Sequence, residues 1–172
     1  MAKLLKPEGL RGICMTEITC ETMLSLGRAA AQALGRTCNH PPVFYLSRDT
    51  RRGADALSAA LCAGICTGGG IAHDLGVLPS SAMALLLSEE GAEAGISLSG
   101  DALPFSQIIV RFYAKSGLPM SAEQLDSIAA LLPADAAQPL KEGKQCGWIE
   151  RQEDGVKRYL HSPRRCAGAF CC

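Results

Sequence analysis

An α/β sandwich on a mostly buried sheet is the fold that this sequence predicts. Two patterns carry the prediction. Segments with apolar residues at helical spacing alternate with short runs rich in β-branched and aromatic residues, and the breaks between them fall on glycine, proline and asparagine. The 172 residues suit one compact domain and are too few for two of ordinary size.

Thr19 precedes Met23, Leu26, Ala30, Ala33 and Leu34, which recur at helical spacing, and Gly35 closes the run: an N-cap, an amphipathic body and a glycine stop. A turn over Asn39–Pro42 leads to Val43–Leu46, a buried strand by its composition. Ala56, Leu57, Ala60, Leu61, Gly64 and Ile65 mark a second helix, stopped by Gly68-Gly69-Gly70. Ile71–Leu75 is a second strand; after the loop Gly76–Ser80, Ser81–Glu90 is a third helix. Ala94–Ser97 and Gln107–Tyr113 read as further strands, and Ser121 with Gln124 forms a capping box for a helix ending near Leu132 and Pro133. Pro133–Gly147 has the character of a linker, Asp154–His161 supplies a turn or two of helix, and the tail to Cys172 shows no period. The expected division is an α/β domain over 1–135, then a linker, short helix and irregular tail over 136–172.

Lysine plus arginine (17) balances aspartate plus glutamate (17), so no basic surplus points to nucleic acid or an anionic membrane as partner. The apolar stretch Ala54–Val77 is broken by Asp55, His73, Asp74 and the glycine triplet, which excludes a transmembrane span there. The nine cysteines are an odd count, and the opening Met1–Lys6 lacks an apolar core of signal length; both predict reduced thiols in a cytoplasm. Cys62 and Cys66 lie four apart on a helix but have no nearby Cys/His pair, so helix packing outweighs metal binding. His40, His73 and His161 carry no catalytic spacing.

Four segments carry more specific information. Lys3–Ile13 reads KLLKPEGLRGI, Ser47–Arg51 reads SRDTR, Gly76–Ala82 reads GVLPSSA and Ile96–Phe112 reads ISLSGDALPFSQIIVRF. In this order and spacing they resemble the first domain of the α-D-phosphohexomutases, the family of phosphoglucosamine mutases and bacterial phosphomannomutases. That family opens K-L-F-G-T-D-G-I-R-G-I and continues with G-R-D-T-R, G-V-x-P-T-P-A and I-S-A-S-H-N-P-x-x-D-N-G-I-K-F-F. The DGVKRYL of Asp154–Leu160 resembles the family's D-A-x-x-R-Y-I.

The resemblance implies a three-layer α/β/α sandwich around a small mixed sheet. It implies phosphate transfer on a hexose phosphate such as glucosamine or mannose phosphate, through a serine that carries the phosphoryl group with Mg²⁺ as family cofactor. Ser99 stands at the position of that serine, and the metal would reach Ser99 only through its phosphate. Arg111 stands at the position of the family's proton-accepting lysine; a guanidinium pairs with phosphate but does not give up its proton. Arg11, Arg48 and Arg51 match the family's phosphate-side arginines, and Asp49 either holds its loop by internal hydrogen bonds or takes a catalytic role.

The departures fall around the serine. Gly100-Asp101-Ala102 replaces His-Asn-Pro, Phe105–Ile108 replaces the Asp-Asn-Gly turn, and Pro7-Glu8 replaces Thr-Asp. At about 6 Å and an effective dielectric near 20, Asp101 would repel each unit of phosphate charge by on the order of 3 kcal/mol. No Asp-x-Asp triplet occurs, so the chain alone is expected to hold no metal. The expectation is therefore a truncated, degenerate copy that folds without turning over. The alternatives are a module that binds a sugar phosphate or a protein, and a fragment completed by separate chains.

Overall fold

A computed structural model describes residues 5–100, 102–132 and 141–168, with backbone alone from residue 162 onward. Six strands form one mixed sheet: β1 (Leu10–Ile13), β2 (Val43–Arg48), β3 (Ile71–Val77), β4 (Ala94–Ser99), β5 (Gln107–Ala114) and β6 (Ile149–Arg151). They lie in the order β1-β5-β4-β2-β3-β6. β2 pairs in parallel with β3 and β4, and β6 pairs in parallel with β3. β5 runs antiparallel to both β4 and β1.

Helices α1 (Cys20–Gly35), α2 (Ala54–Thr67) and α4 (Ala122–Ala129) share one core with Phe44, Leu46, Ile96, Leu98, Ile108 and Val110. Helix α3 (Ser80–Glu90) packs on the opposite face, where Tyr45, Leu75, Met83, Leu87 and Tyr113 meet, and Tyr159 of α5 (Gly155–Gly168) joins them. The period-two alternation of β2 thus feeds two cores, which makes the molecule a three-layer α/β/α sandwich.

The local signals behave as the sequence predicts. The Thr19 hydroxyl accepts the Thr22 N–H. Ser121 and Gln124 form both bonds of the capping box. Helices α1 and α2 approach closely because they meet at two glycines: a Cβ on Gly27 would lie 2.3 Å from the Leu61 carbonyl oxygen, and one on Gly64 would lie 2.1 Å from that of Leu24.

Three features depart from the sequence reading. β2, β3 and β4 run on through Arg48, Val77 and Ser99, because pairing between β2 and β4 continues through Ser47↔Ser97 and Arg48↔Leu98 regardless of apolar pattern. β1 and β6 were not anticipated; both are short edge strands, and every residue of β6 is exposed. Helix α5 extends to Gly168 instead of ending near His161, running on past Pro163, which supplies no backbone N–H to it; the tail residues 169–172 lie outside the described residues, as does 133–140 of the expected linker.

Candidate functional site

Ser99 is the last residue of β4, 7% exposed, with its side chain on the α3 face of the sheet. Two neighbours donate to its Oγ. The Ser80 hydroxyl, on the first residue of α3, donates at 3.1 Å, and Arg111 Nη1 of β5 donates at 3.3 Å. Register explains the meeting: Ser99 lies opposite Ile109 and Ser97 opposite Arg111, so the guanidinium reaches forward by one residue pair along the same face. Pro79 caps α3 without a side-chain bond, which leaves the positive end of the helix macrodipole beside the Ser99 hydroxyl.

The turn after Ser99 is held from the β2–α2 loop. One Asp49 carboxylate oxygen accepts the Gly100 N–H at 2.7 Å, and the other accepts the Arg51 N–H at 3.0 Å, so Asp49 ties its own loop to the serine turn. Asp49 Oδ2 also pairs with Arg51 Nε at 3.3 Å. The Arg51 guanidinium then bonds the carbonyls of Leu103 at 2.9 Å and Gln107 at 3.0 Å, reaches that of Pro104, and lies over the Phe105 ring. Arg51 thus ties the 103–107 loop to the β2–α2 loop.

Arg11 of β1 is exposed and forks onto Gln107 Oε1, with Nε at 2.9 Å and Nη2 at 2.7 Å. Arg11 and Arg51 therefore converge on one residue, Gln107, from two sides. Arg48 sits elsewhere. It pairs in register with Leu98, whose side chain belongs to the α1–α2 core, so Arg48 faces the opposite side of the sheet from Ser99. There it lines a cleft of about 290 Å³ with Thr50, Arg52 and Asp55, and its Nη1 is buried without a hydrogen-bond partner among the described residues. The structure brings Ser99 and Arg111 together, places Arg11 and Arg51 around the adjoining loop, and puts Arg48 on the other face of the sheet from Ser99, in a cleft that Asp49 and Arg51 also line. Asp101 lies outside the described residues.

The sequence reading missed Ser80 and Gln107. Ser80 stood within the quoted GVLPSSA, and its place just after a proline at the start of a helix was the available signal. His73 stacks on Tyr45 with ring centroids 5.6 Å apart and pairs with Glu150 at 3.4 Å, which gives it a packing role between β2, β3 and β6. Burial pushes the Cys62 thiol up to about 12.

A divalent cation requires several hard oxygen ligands. Among the described residues no group of three or more His, Cys, Asp or Glu side chains converges, and Ser99 itself faces a guanidinium. These residues do not fit a Mg²⁺ site by themselves.

Fold and site together define an α/β/α module that presents a serine hydroxyl at a strand end, between a guanidinium and a helix amino terminus. Residues 2–138 match the domain described as phosphoglucomutase/phosphomannomutase, alpha/beta/alpha domain I, and the chain belongs to that family. A phosphoglucosamine mutase of Desulforamulus reducens is 37% identical over 161 residues, which cover 93% of this chain and 36% of that protein. One from Clostridium botulinum is 33% identical over 162 residues, again covering 93% and 36%. The crystal structure of a phosphoglucomutase/phosphomannomutase family protein from Burkholderia thailandensis superposes with a TM-score of 0.74 at 19% identity, over 94% of this chain and 35% of that one; it bears on the fold alone. The chain thus spans about a third of the length of the relatives it matches.

Proposed function

We propose that this chain is a phosphohexomutase first domain that retains a seat for a phosphoryl group on Ser99 but does not complete the transfer by itself. The observation that carries the reading is the pair of donors on Ser99 Oγ, Arg111 Nη1 and Ser80 Oγ. A phosphate esterified to that oxygen would gain a charge-assisted partner and a hydroxyl donor at the positive end of α3. Arginine in place of the family's proton-accepting lysine supports the loss of turnover, since a guanidinium holds its proton. The Desulforamulus reducens and Clostridium botulinum relatives are phosphoglucosamine mutases, which favours glucosamine phosphate over mannose phosphate as the ancestral substrate. The odd count of nine cysteines favours a cytoplasmic setting.

The seat is tested without turnover by Ser99→Asp, which places a carboxylate beside Arg111. Thermal unfolding should show the substitution tolerated in the parent and clearly more destabilising in Arg111→Ala; equal cost in both backgrounds would remove the seat. Turnover is tested by incubating the chain with glucose 1,6-bisphosphate and a hexose phosphate. Isomerised product from the chain alone would overturn the inactive reading. A phosphate gained on Ser99 by intact mass, without turnover, would point to a fragment completed by separate chains.

The buried, unpartnered Arg48 Nη1 favours a second reading, a module that binds an anion such as a sugar phosphate in the cleft between the 48–52 loop and α2. Hexose phosphate binding by calorimetry that vanishes in Arg48→Ala supports it; binding unchanged in that variant rejects it.

A further inference from the structure

Away from Ser99, the far end of α2 meets the segment that leads into β6. Cys66 occupies the last turn of α2, and its carbonyl accepts the Gly147 N–H at 3.0 Å. A Cβ built on Gly147 would lie 3.4 Å from Cys66 Cα. Cys146 precedes Gly147 directly, so the hydrogen bond and its flanking covalent links keep the Cα atoms of Cys66 and Cys146 within about 8 Å. Disulfides span roughly 4.4–6.8 Å between Cα atoms, so a small shift of the segment suffices.

The segment can supply that shift. Its 3₁₀ turn, Gly143–Gln145, is exposed throughout, and all three residues of β6 are exposed. It is attached to α2 and β3 by single backbone bonds, Gly147 N–H to Cys66, Ala72 N–H to the Trp148 carbonyl and Gln152 N–H to the Asp74 carbonyl, besides the short β3–β6 ladder. Neither sulfur is in a disulfide; Cys66 is partly buried, and the exposed Cys146 donates its S–H to the Lys141 carbonyl at 2.9 Å, a bond it gives up to react.

We propose that Cys66 and Cys146 form a reversible disulfide that clasps the 141–151 segment onto the end of α2, with a small-molecule disulfide such as oxidised glutathione as oxidant. The exposed Cys146 thiolate attacks the oxidant, forming a mixed disulfide and expelling one small-molecule thiolate. Cys66 then loses its proton to solvent, and its sulfur attacks Cys146 Sγ. The Cys66–Cys146 bond forms and the second thiolate leaves, so two protein thiols are oxidised and one small disulfide is reduced to two thiols. Burial pushes the Cys66 thiol up and outweighs the Ala72 N–H, which pulls it down, with Cys146 adding a smaller upward push; this fits its place as the second thiol to react. The clasp fixes β6, which already pairs with β3 and sets Glu150 opposite His73, at the sheet edge.

The test treats the intact chain with oxidised glutathione, maps peptides by mass spectrometry without reduction, and follows amide exchange. The expected result is a Cys66–Cys146 cross-link two hydrogens lighter than the reduced pair, slower exchange over 146–151, and reversal of both by dithiothreitol. Cys146→Ser, at an exposed position, should fold normally and lose both changes; Cys66→Ala serves the other end. Glutathione retained on Cys146 with no cross-link would overturn the proposal. So would a cross-link joining a different pair, Cys14–Cys20 included, or exchange over 146–151 that does not respond to oxidation.

Discussion

The Arg51 guanidinium stands where a side chain on residue 100 would be: a Cβ built on Gly100 would lie 1.8 Å from Arg51 Cζ and Nε. Glycine at this position is thus the counterpart of the guanidinium that bonds the carbonyls of Leu103, Pro104 and Gln107. The family pattern carries histidine here, and an imidazole at 100 and this placement of Arg51 exclude one another. The departure from the motif and the clamp on the loop are one arrangement.

Gly100→Ala should therefore expel the guanidinium. Hydrogen bonds from a charged donor contribute about 1.5–3 kcal/mol each, and part of that is regained in water, so we expect a loss of about 2–4 kcal/mol in urea denaturation. Arg51→Ala should cost a similar amount, and the double variant markedly less than the sum. Additive costs would show that the two residues are independent.

The capping box of α4 offers a cleaner increment. Ser121→Ala removes the oxygen that accepts the Gln124 N–H and should destabilise the fold by about 1 kcal/mol, read as a lower denaturation midpoint with an unchanged slope. Ser121→Asp should recover most of it.

Stability should fall in alkali in a way that Cys62 partly sets. Its thiol moves from an ordinary 9.0 to about 12, chiefly by burial. Below pH 9 the proton is bound in both states and the contribution is complete. Between about 9 and 12 the unfolded chain sheds the proton and the folded one keeps it, so stability drops as pH rises, by at most about 1.4 kcal/mol per pH unit for this group. Burial raises Cys14, Cys66 and Tyr45 as well, so the parent slope has several contributors. Cys62→Ala should flatten it above pH 9; an identical slope in the variant would mean that Cys62 contributes nothing.

Among the described residues, Arg158 of helix α5 pairs with Glu90 of α3, bonds Gln152 and Tyr45, and lies 3.4 Å from Asp154. Arg158→Ala should speed amide exchange across α5 and 149–151 while leaving α1 and α2 unchanged. Slowed or uniform exchange would show that apolar contacts alone dock the helix.

What the sequence disclosed follows from which forces leave a local trace. Helices α1 to α4 and the cores of β2 to β5 were legible because Thr19, Ser121 and the glycine stops mark ends, and burial on one side imposes a period. β1 was hidden because Leu10-Arg11-Gly12-Ile13 holds two apolar residues around an arginine and a glycine. β6 was hidden because Ile149-Glu150-Arg151 is exposed at each position, so no burial shapes its composition. At the site, the loop-holding role of Asp49 was legible in the Ser47–Arg51 run. The Arg51 clamp could not be read, since its partners lie 52 to 56 positions away and are backbone carbonyls, which carry no residue signature.

The place of β1 in the sheet has a consequence for biosynthesis. Leu10 pairs with Val110, so on the ribosome the opening strand is made long before its partner exists. At 5–20 residues per second that interval is roughly 5–20 s, during which α1 and α2, neighbours in the chain, can already associate. The nascent protein is left for that time with the backbone N–H and C=O groups of Leu10–Ile13 lacking the ladder that pairs them in the folded sheet.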